Sequence, residues 1–393
     1  MQPVTESSMH SDPIAIVLLQ LAFLLTLGLL GRFFATKLDQ PGVLGELLAG
    51  IVAANAFHFF GGSLSGAIKG TEMFASLGVI LLIFFVGLET DLKQLLATGR
   101  QAALVAAAGV AAPLLLGFGS GILLHPASGW MAHLFMGATL CATSIGITAR
   151  VLKDLGKLNT AEARLILGAA VIDDVLGLII LGVVSGIAAS GQVEGWPLVK
   201  MLALTAGFLG LLLWRGEHAA RLLIKELKFL DLTHARLLLP LMICFALAWL
   251  TSEIGLAAIV GAFAAGLVMP DKESVRENIA PLESVFAPVF FVAMGLQVNL
   301  ASLIHPGALL LALVLCVASI AGKLVCAFVT DDKVDGLSVG IGMLPRGEVG
   351  LIFASAGRAL DVLDTSAFAA IITVVIVTTV ITPPALRWSL ARR

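Results

Sequence analysis

The chain has 393 residues, of which 59% are hydrophobic and only 13% charged. A soluble domain carries about twice that charged fraction, and apolar runs near the ~20 residues needed to cross a bilayer recur along the chain. A water-soluble fold is therefore excluded in favour of an all-α polytopic membrane protein; the net charge of −2 offers no argument for a nucleic-acid partner, and none is expected.

The first segment, "MQPVTESSMHSDP", has no basic residue before the apolar run that follows. A cleaved signal needs a basic start and a shorter apolar core. The run is therefore expected to stay as the first span, with 1–12 as a tail outside the cell. Thirteen spans are predicted, over 13–34, 41–60, 73–90, 100–123, 130–151, 162–190, 197–215, 235–253, 256–270, 281–299, 305–329, 336–358 and 365–386. Short links such as "KLDQPG", "HPASGW" and "GQVEGWP" separate them. The longest link, Arg215 to Arg236, is basic with an apolar face and reads as a helix on the membrane surface. After span 13 the chain stops at "RWSLARR", so no soluble regulatory domain is expected.

Lys and Arg gather on one side of these spans. With the N-terminus outside, all but five of the 24 fall inside, from Arg32 and Lys37 to Arg387, Arg392 and Arg393. Lys69, Lys200 and Arg358 fall outside. Lys323 and Arg346 belong to no loop. The expected orientation is N-terminus out and C-terminus in, in a bacterial cytoplasmic membrane.

Span 3 ends "FFVGLETDL" and span 10 ends "FFVAMGLQVNL". The copies are offset by seven spans, an odd number, so they run in opposite directions. This suggests two inverted-topology repeats, about 13–190 and 235–386, joined by a linker helix at about 197–215. The same offset pairs span 5 with span 12. Span 5 is interrupted at "TLCATSIGI" and span 12 at "GMLPRGEVG". Matched interruptions of two halves point to a transport site, because non-helical backbone at membrane depth needs protein or water beside it.

The ionisable residues within spans carry the chemistry. Asp173 and Asp174 lie in "GAAVIDDVLGLIIL" of span 6, where each costs about 2.5–3.5 kcal/mol at a helix centre. Helical neighbours differ by about 100°, so one carboxylate can meet a cation while the other faces a cavity. Lys323, in "SIAGKLVCAF", needs a carboxylate to keep its charge, and Asp173 or Asp174 is the expected partner. The other reading of Lys323 is a side chain snorkelling to the inner surface. Arg346 and Glu348 lie in the span 12 break; a buried Arg346 needs an acid, either Glu46 or Glu348, in a structural, charge-compensating role. Glu283 lies early in span 10.

A carboxylate pair at mid-membrane holds either a small hard cation or protons. Thr143, Ser144 or carbonyls freed by a break would complete the cation's shell. That competition couples cation movement to opposing proton movement, and a lysine that also changes protonation would make the exchange electrogenic. Cys141, Cys244, Cys316 and Cys326 lie in apolar runs without metal-ligand spacing, and the seven histidines show no paired spacing. No cofactor or resident metal is expected; sodium or lithium and protons are cargo. No Ser-His or His-Glu-x-x-His arrangement supports a hydrolase, and a passive channel needs no paired titratable site.

Together "QPGVLGELLAGIV", "FFVGLETDL", "CATSIGITARVL", "AAVIDDVLGLI", "GLAAIVGAFAAGL" and "MLPRGEVGLI" resemble the second branch of the monovalent cation:proton antiporters, most of all the NapA-type sodium/proton antiporters. The resemblance implies a thirteen-helix inverted-repeat fold with two crossed, broken helices, and a homodimer touching through helices 1 and 8. It also implies an elevator-like core around helices 3–6 and 10–13 moving against a dimer domain around helices 1–2 and 8–9. It assigns ion binding to Asp174, with Asp173 as the second carboxylate, and pairs Asp173 with Lys323. The related glutathione-gated potassium efflux systems carry Gln-Asp where this chain has Asp173-Asp174, plus a nucleotide-binding domain. The implied activity is therefore sodium/proton exchange, with potassium/proton exchange as the alternative.

Overall fold

The computed structural model describes residues 13–59, 70–90, 98–190, 195–226, 232–254, 258–297 and 306–392. The expected N-terminal tail, and with it Lys69, Lys93, Lys228 and Arg393, lies outside the described residues. Among those described there are helices and no strands. Six helices are long and apolar enough to cross a membrane.

The helices are α1 (Pro13–Lys37), α2 (Gly42–Phe59), α3 (Glu72–Glu89), α4 (Gly99–Leu124), α5 (Trp130–Thr139), α6 (Ile145–Asp154) and α7 (Ala161–Ser190). After α8 (Gly195–Glu226) come α9 (Leu232–Glu253), α10 (Ala258–Val268), α11 (Lys272–Leu296) and α12 (Pro306–Leu324), which tightens into a 3-10 turn over Val325–Val329. The chain closes with α13 (Gly336–Gly342), α14 (Glu348–Ala359) and α15 (Thr365–Ala391). Apolar runs become helices because backbone groups in lipid must bond within their own segment. Prolines at 113, 281, 288, 383 and 384 lie inside these helices. Neighbouring helices can re-satisfy the groups that proline frees.

Three expectations change. The link after Arg215 does not begin a separate surface helix: α8 runs unbroken from Gly195 to Glu226. "RGEHAARLLIKE" has no proline and is rich in helix formers. Second, α11 begins at Lys272 rather than at 281, because Pro281 lies inside the helix and not at its start. Third, α3 and α11 pack chiefly with one another and with α1, α2, α9 and α10, and of the interrupted helices they meet α6. The interrupted helices belong to a second body with α4, α7, α12 and α15.

Glycines explain that grouping, since backbones approach closely where no Cβ intervenes. A Cβ on Gly45 would strike the Gly31 carbonyl, fastening α2 to α1. A Cβ on Gly261 would strike the Leu247 carbonyl, fastening α10 to α9 in the same way. Gly50 meets the Val292 carbonyl and Gly295 the Leu47 carbonyl, joining α2 to α11. Gly266 meets the Phe84 carbonyl and Gly87 the Phe263 carbonyl, joining α10 to α3. "GELLAG" (Gly45–Gly50) and "GAFAAG" (Gly261–Gly266) thus make equivalent contacts.

The outer surface is apolar. Leu18, Leu19, Leu29 and Phe34 of α1 are exposed, as are Trp130, Trp196, Trp214, Trp249 and Trp388. Arg215 stacks on Trp214 and Arg392 on Trp388. Amphipathic tryptophans of this kind favour the membrane–water boundary.

Candidate ion-exchange site

Asp173 and Asp174 lie near the middle of α7, and both are buried. The Lys323 amine lies 3.4 Å and 3.5 Å from the two carboxylate oxygens of Asp173, and both side chains are 0% exposed. The structure therefore joins Lys323 to Asp173, inside the protein, and does not let it snorkel. Gly109 of α4 makes room for it: a Cβ there would sit 3.3 Å from the amine and 3.0 Å from the Cys326 sulfur.

The two interruptions meet beside this pair. Between α5 and α6, residues 140–144 leave the helix; between α13 and α14, residues 343–347 do. Each supplies polar backbone that the other satisfies. The Ser144 amide donates to the Pro345 carbonyl at 2.8 Å. The Thr143 hydroxyl donates to the Met343 carbonyl at 3.2 Å, and that of Thr148 to the Gly342 carbonyl at 2.7 Å. Ser144 Oγ is buried and has no hydrogen-bond partner among the described residues. Gly347 is a glycine because a Cβ there would collide with that oxygen. Helix α7 packs against α5, α6, α13 and α14, so the carboxylates and both breaks share one region.

Arg346 is 1% exposed and does not take Glu46 as its acid. Its guanidinium donates to the Cys141 carbonyl at 3.2 Å, to the Ala142 carbonyl, and to Ser319 Oγ at 3.1 Å. The carbonyls leaving the C-terminal end of α5 are the negative end of its dipole, which favours a cation there. Thr379 Oγ1 donates to the Arg346 carbonyl at 2.6 Å. The Glu348 side chain lies outside the described residues. Ser319 and Lys323 are one turn apart on α12, so a single helix face carries one buried cation, Lys323, and meets the other, Arg346. Ser319 and Thr379 went unread in the sequence; the one-turn spacing from Ser319 to Lys323 was the available signal.

Glu46 instead pairs with Arg32 at 3.2 Å and Arg150 at 3.5 Å. Arg150, placed among the inside loop cations by its position, is 3% exposed and also bonds Asp154 and Glu283. On the opposite side of the molecule, Asp364 caps α15 by accepting from the Ala367 amide at 2.8 Å and lies 2.7 Å from His125. Burial works upward on this carboxyl, but the Ala367 hydrogen bond and His125 outweigh it and hold it below the usual range. Among the described residues, no group of three or more His, Cys, Asp or Glu is gathered as metal ligands.

Residues 12–392 match the family described as "Sodium/hydrogen exchanger, transmembrane". The chain is 34% identical to the high-affinity Na(+)/H(+) antiporter NhaS3 of Synechocystis, over 98% of this chain and 92% of that one. It is 34% identical to the Na(+)/H(+)-K(+) antiporter GerN of Bacillus cereus, over 94% and 95%. Among solved structures, the sodium proton antiporter MjNhaP1 from Methanocaldococcus jannaschii superposes with a TM-score of 0.70 at 16% identity, over 97% of this chain and 98% of that one.

Proposed function

Because the chain belongs to the sodium/hydrogen exchanger family, we propose that it is a secondary active antiporter exchanging sodium or lithium for protons by an elevator-like, electrogenic mechanism. The family is one of membrane transporters, not enzymes. One observation carries the reading: a buried Asp173–Lys323 pair, with Asp174 next to it, on a helix packed against two interrupted helices.

In this reading Asp174 holds the travelling ion. A carboxylate binds a hard cation or a proton, and not both fully. Ser144 Oγ, without a hydrogen-bond partner among the described residues, and Thr143 lie at the break where a cation's oxygen shell would form. Lys323 is tied to Asp173 until an arriving cation competes for the carboxylate, and the amine then gives up a proton. Protons leaving both groups for one cation arriving would move net charge across the membrane.

The equivalent glycine contacts at Gly45/Gly261, Gly50/Gly266 and Gly87/Gly295 support two inverted repeats within thirteen spans. The packing supports a moving body of α4–α7 and α12–α15 against a scaffold of α1–α3 and α9–α11. The exposed apolar face of α1 suits the homodimer contact. The orientation, N-terminus out in a bacterial cytoplasmic membrane, is supported by the Lys and Arg bias, and the alternation of the spans by the ion pairs. Arg32–Glu46, Arg276–Glu89 and Arg387–Asp39 join residues expected inside, and His125–Asp364 joins residues expected outside.

Potassium/proton exchange is the second reading, since the relative GerN carries both ions in its name. Proteoliposomes with an imposed proton gradient test both. Sodium or lithium should collapse the gradient and potassium should not; collapse by potassium alone favours the second reading, and no response to any of the three defeats both.

A further inference from the structure

The short helix α6 follows the first interruption and ends in three charged residues, Arg150, Lys153 and Asp154. Their partners, apart from the Arg150–Asp154 pair within α6, lie on the other helix body. Arg150 meets Glu283 of α11 at 2.7 Å and Glu46 of α2 at 3.5 Å. Lys153 meets Glu283 at 2.5 Å and lies 3.7 Å over the Phe85 ring of α3. Asp154 meets Arg32 of α1 at 3.4 Å and accepts from the Val43 amide of α2 at 3.2 Å. Three cations and three carboxylates close a neutral network at the face where Lys and Arg gather.

We propose that the end of α6 is an ionic latch that clamps the site-bearing body to the scaffold on the basic face, and that this latch must open before the site reaches that face. The proposal rests on the alternating-access reading above. Two features suit a contact that opens. The bonds to α1 and α2 are long, at 3.2–3.5 Å, whereas those to Glu283 of α11 are 2.5–2.7 Å. Glu46 is fully buried, yet Oε1 takes both guanidinium contacts and Oε2 has no partner among the described residues. A half-satisfied buried carboxylate leaves the closed arrangement less than fully stabilised. Because α6 continues directly from the Thr143–Ser144 break, release of its far end frees backbone next to the ion. Without the latch, the same end of α6 would have no anchor on α1 and α2, and the basic face would open at little cost.

Spin labels at Leu38→Cys just after α1 and Lys157→Cys beyond α6 read the separation of the two bodies on this face. Both native residues are exposed, and the four native cysteines are buried. Pulsed electron–electron distance measurements in nanodiscs should give a short distance in the otherwise native chain. Arg32→Gln and Asp154→Asn each remove a latch charge, while the side-chain carbonyl introduced by Asp154→Asn can still accept from the Val43 amide. Each should raise the longer-distance population about two- to fivefold, the weight of one part-exposed ion pair. Unchanged distributions in both variants would overturn the latch; should Asp154→Asn not fold, Arg32→Gln, at a part-exposed side chain, decides alone. The readout needs no ion flux, so a distance shift without any exchange would retain the latch and count only against the transport reading.

Discussion

Lys323 and Arg346 are both buried cations, but they are satisfied in opposite ways. Lys323 faces a carboxylate that can titrate, whereas Arg346 faces backbone carbonyls and a hydroxyl that cannot. Lys323→Ala should therefore leave slow or electroneutral exchange, read as loss of the transient current on a solid-supported membrane; unchanged charge transfer would refute the role of the amine. Arg346→Met should act on stability, costing about 3 kcal/mol for stranding the Cys141 and Ala142 carbonyls, read as a lower melting temperature. Asp364 gives a pH test at the far face. Its folded-state carboxyl is held low, so its contribution is full above the ordinary value near ~4 and is lost as pH falls through the lower folded one. The melting-temperature advantage over Asp364→Asn should be present at pH 7 and fade below pH ~4. Buried charges were legible because an ionisable residue in an apolar run stands out. Partners were less so: Arg346 found carbonyls, which every residue carries and no letter marks.

The apolar runs made the helices legible, and the Thr, Ser, Gly and Pro clusters marked both interruptions, since each disrupts a helical run in its own way. Grouping was not legible. Spans 3 and 10 resemble each other and were placed with the core, but Gly50, Gly87, Gly266 and Gly295 bind α3 and α11 into the other body by backbone contact. A glycine's neighbour is a three-dimensional fact. Gly50→Val should drive a methyl into the Val292 carbonyl and lower stability by about 1–3 kcal/mol. Gly210→Ala of α8, with nothing within 4 Å of its Cβ position, should melt like the parent. Equal behaviour of the two variants would remove the argument that glycine contacts define the bodies. The burial of Arg150 was not legible for a related reason: counting Lys and Arg by side assumes exposure, while α6 buries this one among Glu46, Asp154 and Glu283.

At the scale of the molecule, one of two helix bodies buries a neutral set of charges, Asp173 and Asp174 with Lys323 and Arg346. The scaffold is fastened by glycines, and the other body carries both breaks. In the proposed mechanism, one region binds a cation or releases protons while the bodies move past one another. The direct test is exchange by reconstituted protein and its Asp174→Ala variant side by side, with a sodium pulse against a proton gradient. The account predicts sodium-dependent proton movement with a net current in the parent and neither in the variant. Sodium-driven proton movement that survives in Asp174→Ala would contradict it.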